Sequence, residues 1–283
     1  MDKAQPDDLI PFQRNLILLL LLALTATAWA ILVWQQSDAN MGMTMVSPIM
    51  GLRALLFLAI WVIMMVAMML PTTAPMILTF HSVQAGNRSL DDAFASTWVF
   101  VGAYLLVWAF AGIAAFAGVL VAEIAAKRAA LPPATAAQVG GAIFLVAGIY
   151  QLTPLKEICL SKCRTSIDFT SSWRDGTAGA LRMGLHHGAY CLGCCWLLFV
   201  TLFPLGMSVE AMAGVTLVIF AEKTLPWPKL TPRITAVVLV LYGALLIASP
   251  QLLPTFQKKD GSAPMPTEMQ MKMPGAGNAP AMK

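Results

Sequence analysis

Long stretches with almost no charge recur along this chain, and they limit its fold more than any other feature. Residues 16–33 contain no ionisable side chain, and a helix of that length reaches about 27 Å, enough to cross the hydrocarbon core of a bilayer. Comparable stretches follow at 54–70, 97–122, 138–158, 183–203, 206–225 and 234–253. The chain therefore reads as all-α, a polytopic helical membrane bundle of about seven transmembrane helices. Residues 16–253 are predicted to form a single transmembrane helical domain, 1–15 a cytoplasmic tail, and 254–283 a disordered Met-rich tail. With 58% apolar and 11% charged residues and a mean hydropathy of +0.73, a soluble domain is excluded. A cleavable signal peptide competes for the first stretch, since Ala26-Thr-Ala28 offers small residues, but the apolar run is long and its leading tail acidic.

The densest chemistry lies in His186-His187-Gly-Ala-Tyr-Cys191-Leu-Gly-Cys194-Cys195-Trp196. On a helix His187, Cys191, Cys194 and Cys195 fall at i, i+4, i+7 and i+8, one face, while His186 points elsewhere. Imidazole and thiolate are the ligands of soft and borderline transition metals. Cys159 and Cys163, the remaining two of five cysteines, form an i, i+4 pair on the preceding segment. They complete a thiolate-rich site only if the two helix ends meet. The plain alternative for each cysteine is a small packed hydrophobe.

Methionine is the second signal, with eighteen in the chain. Met64 with Met68, and Met65 with Met69, stack one turn apart on neighbouring faces of the second stretch. Pro71 and Pro75 follow, before Met76, and are expected to break that helix within the membrane, with Thr72 and Thr73 available for freed carbonyls. The plain alternative is a Met-rich packing face with a structural kink. Met41, Met43 and Met45 in a polar connector, Met76 after the prolines, and Met269, Met271 and Met273 in the tail are weaker candidates for metal capture. Glu222-Lys223 closes the sixth stretch, where a charged pair ordinarily snorkels to the interface. Lys156 and Glu157 mark another helix end near the surface.

An N-terminus in the cytoplasm puts eleven loop and tail cations inside and three in the outer loops, with four more lysines in the C-terminal tail. That is the direction of the positive-inside rule. It places the C-terminus and the exposed methionines outside and both cysteine groups inside. Thioethers keep affinity for Cu(I) under oxidising conditions and thiolates bind it where conditions are reducing.

Met64-Met65-Val-Ala-Met68-Met69-Leu70-Pro71-Thr-Thr-Ala-Pro75-Met76, Cys159-xxx-Cys163, the His186–Trp196 stretch and Glu222-Lys223 together resemble a bacterial family of predicted metal-binding integral membrane proteins of unknown function. The resemblance covers roughly residues 50–250 and implies metal binding without an assigned activity. Paired MxxxM in a membrane helix is also similar to eukaryotic high-affinity copper transporters, which are small three-span trimers of another fold. The expected cargo is Cu(I), taken from outer methionines toward an inner Cys/His site. Zinc also suits the Cys/His set, and the thioethers tip the choice to copper. Expected partners are the lipid bilayer, the metal ion, and a periplasmic copper chaperone or membrane metalloenzyme. The alternatives are a membrane thiol-disulfide oxidoreductase and a metallation partner without transport activity. His81 and His187 raise haem ligation as a remoter reading. No residue reads as catalytic, no nucleotide-binding loop is present, and a net charge of +4 does not suggest nucleic acid.

Overall fold

The computed structural model describes residues 6–37, 50–129, 132–164 and 176–249. Among these residues all regular structure is helical: α1 (Pro6–Ser37), α2 (Met50–Asn87), α3 (Leu90–Ala129), α4 (Pro133–Tyr150), α5 (Pro154–Arg164), α6 (Gly176–Val200), α7 (Val209–Thr224) and α8 (Leu230–Ala248). Five of them, α1, α2, α3, α6 and α8, are long and apolar enough to cross a membrane, and α4 with α5 makes a sixth if the bent pair counts as one span. The difference from seven lies in α7. Its 16 residues, drawn as a full span from sequence, reach only about 24 Å.

Helix ends depart from the sequence reading in ways that matter for the site. α1 begins at Pro6, so the tail drawn over 1–15 is largely helical. α2 runs on to Asn87, so His81, placed in a loop by its polar neighbours, is a fully buried helical residue. α6 starts at Gly176, seven residues earlier than expected, entering through a left-handed φ of +87° that glycine tolerates. Cys191, Cys194 and Cys195 therefore sit in its later half.

α2 passes through Pro71 and Pro75 without interruption, contrary to the expected break. Proline at 71 leaves the Ala67 carbonyl without its helical donor, and the Trp29 indole of α1 donates to that oxygen at 3.0 Å. Thr72 Oγ1 donates to the Met69 carbonyl at 2.9 Å. The break falls instead at Gln151–Thr153, ahead of Pro154, where α4 and α5 meet at 67°. That bend turns α5 back against α6.

Close backbone approach holds the bundle together. A Cβ on Gly184 would meet the Phe100 carbonyl oxygen at 2.4 Å, and one on Gly188 would meet Val107 Cγ2 at 2.9 Å. This small-xxx-small pair lets α6 lie directly on α3. α4 and α8 pack antiparallel in the same manner, with Gly148 against Ala236 and Gly141 against Gly243. The main core joins Met64, Met65, Met68, Met69, Tyr104, Trp108, Cys191, Cys194, Cys195 and Phe199, and the Trp61 indole donates across it to the Trp108 carbonyl at 2.9 Å.

Candidate metal centre

Three thiols from two helices converge beside the methionine face of α2. Cys163 of α5 and Cys191 and Cys194 of α6 bring their sulfurs within 4.8 Å of one another. Cys163 Sγ stands 3.8 Å from Cys194 Sγ. A metal held at about 2.3 Å by three sulfurs needs them about 3.8–4.0 Å apart, so these distances suit a small soft ion. Cys195 Sγ adjoins Cys194 Sγ at 3.1 Å, and all five cysteines are free thiols.

Cys191 is the hub. Met69 Sδ lies 3.9 Å from its sulfur, and Met64, Met65 and Met68 are buried in the same core. Lys223 Nζ donates to Cys191 Sγ and to Thr72 Oγ1, each at 3.1 Å. Thr73 Oγ1 donates to the Tyr104 hydroxyl at 3.1 Å. That leaves the Tyr104 proton for Cys191, also at 3.1 Å. An ammonium and a phenol both directed at one buried sulfur are the surroundings that suit an anionic thiolate.

The remaining sequence candidates are dispersed. Cys159 is buried but outside the three-thiol group; its Sγ sits 2.8 Å from where a Cβ on Gly193 would be, so Gly193 is what lets α5 approach α6. His187 is buried a turn before Cys191, its ring against Phe100 and Tyr104 at centroid distances of 6.0 and 5.8 Å. It is not a member of the group that clusters. His186 is exposed and meets the Tyr190 ring at 4.8 Å. Met76 is buried in a separate core with Ile77 and Phe80. Met41, Met43, Met45, Met269, Met271 and Met273 lie outside the described residues, as does the 254–283 tail.

Of the charges assigned to the surface, Glu157 is exposed but Lys156 and Glu222 are buried. Lys156 and Glu222, each about 1% exposed, form an ion pair at 2.7 Å. Lys156 also donates to the Gln151 side-chain oxygen, and Arg164 to the carbonyls of Glu222 and Leu225. These bonds tie α5, which carries Cys163, to the end of α7, which carries Lys223. Nothing in local spacing announces a pair 66 residues apart. The one available signal is that Lys156, Glu222 and Lys223 all interrupt otherwise apolar stretches.

A family model described as PpoB2: Copper chaperone matches residues 58–246, about two thirds of the chain. No curated protein and no solved structure matches.

Proposed function

Because the chain belongs to the PpoB2 copper chaperone family, we propose that it receives Cu(I) and holds it within the membrane for delivery. Cys163, Cys191 and Cys194 supply thiolates, and Met69 a thioether beside them. The observation that carries this reading is the convergence of three sulfurs within 4.8 Å, with Met69 Sδ at 3.9 Å from Cys191. The donor set fits the cargo: thiolates and thioethers are the ligands of Cu(I), and a thioether adds little to a zinc site. Cys195, 3.1 Å from Cys194, and Met64, Met65 and Met68 of the same core are proposed to accept the ion in turn. A path of such ligands lets it move without being released.

The centre lies beside the middle of α2, which in this reading favours holding and delivery over complete passage. The outer methionines 41, 43 and 45 are proposed as the capture end, in a bacterial inner membrane with the N-terminus cytoplasmic. The recipient is a membrane metalloenzyme and the donor a periplasmic copper chaperone.

The test is copper content after anaerobic loading of detergent-purified protein, measured by elemental mass spectrometry. Wild type and Cys159→Ser should hold copper stoichiometrically, and the Cys163→Ser/Cys191→Ser/Cys194→Ser variant should not. Undiminished loading in the triple variant, or stronger loading with zinc, would sink the proposal. A loss of free thiols under mild oxidant, without any copper binding, would support the thiol-disulfide alternative instead.

A further inference from the structure

A cavity of about 340 Å³ opens where the α4–α5 bend meets the start of α8. It lies outside the thiol centre. Lys156, Arg164, Lys229 and Arg233 line it against one lining carboxylate, Glu157. Lys156 is neutralised by Glu222 and Arg164 is held by backbone carbonyls. Lys229 reaches Glu157 only at 3.8 Å, with both side chains about 70% exposed, a pairing that solvent screens. Arg233 is exposed beside it.

The wall of the cavity carries an unused donor. Gln151 also lines it, buried to 4% exposure, and its Oε1 accepts from Lys156. That bond fixes the amide orientation, and Nε2 is left buried without a hydrogen-bond partner among the described residues. A buried orphan donor in a cavity whose lining still sets Arg164, Lys229 and Arg233 against one carboxylate, Glu157, calls for an anion.

The rim tells what kind. α8 is a membrane span and Arg233 is in its first turn, so the cavity lies at the level where a span leaves the hydrocarbon. Leu152, Leu155, Trp227 and Ile234, from 56% to 62% exposed, flank it. Cationic groups at a span end, with apolar side chains turned outward beside them, match one amphiphile: a phosphate group attached to acyl chains. We infer that this cavity binds the headgroup of an anionic phospholipid, with Arg233, Lys229 and Gln151 Nε2 contacting its phosphate.

The experiment uses full-length protein in nanodiscs of phosphatidylcholine, with or without phosphatidylglycerol, followed by native mass spectrometry and thermal unfolding. Wild type should retain phosphatidylglycerol through detergent extraction and melt about 3 °C higher in its presence. Lys229→Gln/Arg233→Gln replaces two exposed side chains outside the proposed copper site. It should fold and load copper normally while losing retention at least tenfold and the thermal shift with it. Equal retention of the two lipids by wild type would overturn the inference, as would unchanged retention in the double variant. Displacement of the lipid by millimolar inorganic phosphate alone would assign the cavity to a free anion and overturn it too.

Discussion

Gly184→Ala tests whether the thiol centre depends on helix spacing as well as on its ligands. The added Cβ would lie 2.4 Å from the Phe100 carbonyl oxygen and 2.7 Å from Ala103 Cβ, where ordinary contact begins near 3.4 Å. Both obstructions belong to α3 backbone or to a methyl fixed on it, so no flexible side chain can swing aside. α6 must therefore retreat from α3 by about 1 Å. α2 and α5 are not obliged to follow, so Cys191 and Cys194 shift relative to Met69 and Cys163. Metal–sulfur distances tolerate about 0.2 Å, and the thioether contact should be lost first. Overpacking of this kind costs about 1–3 kcal/mol. If about 1.4 kcal/mol of it falls on the loaded state, Cu(I) affinity drops about tenfold. Competition for Cu(I) against a chromogenic chelator reads the affinity, and thermal unfolding reads the stability. Gly118→Ala, with nothing within 4 Å of the new methyl, is the control and should leave affinity unchanged. Wild-type affinity and melting in Gly184→Ala would refute the reasoning.

Other substitutions separate the roles of the buried polar groups. Met69→Leu keeps the volume and removes the sulfur; stability should change by less than about 1.5 kcal/mol while Cu(I) dissociates faster, as seen by stopped-flow transfer to a chelator. Lys156→Ala strands the Glu222 carboxylate and should destabilise by about 3–5 kcal/mol, a loss that Lys156→Met/Glu222→Gln should largely restore in melting experiments. Trp29→Phe removes the donor to the Ala67 carbonyl and should cost about 1 kcal/mol. In the Pro71→Ala background the helix supplies its own donor, so a double-mutant cycle should show Trp29→Phe becoming nearly neutral.

The sequence made the helical class legible because long uncharged runs leave few other ways to satisfy the backbone in a bilayer. It also brought Met64–Met69 and Cys191–Cys195 forward, since helical spacing alone aligns each set. Their meeting was not legible: Met69 and Cys191 are 122 residues apart, and no periodicity relates two helices. Cys159 and Cys163 look equivalent as an i, i+4 pair, yet only Cys163 joins the cluster, because the choice depends on the angle at which α5 returns from its 67° bend. Lys156 and Glu222 read as surface charges because each was judged by its neighbours in the chain, while its actual partner is on another helix. Nothing near Tyr104 in the chain points to Cys191, and their contact depends on Gly184 and Gly188 drawing α6 onto α3.

The bend at Gln151–Thr153 has a consequence for biogenesis. Because the bend returns α5 to α6, the centre draws on residues from Met69 to Lys223, about 150 residues of synthesis. At about 5–20 residues per second, Met69 is in the membrane about 8–30 s before Lys223 is made. A nascent chain that has inserted α1 to α3 has the thioethers but none of the thiols, so copper met at that stage finds only a weak, open ligand set. The proposed copper site is thereby complete only in the finished bundle, and a chain stalled before α7 would hold its thiols without the Lys223 ammonium that favours the Cys191 thiolate.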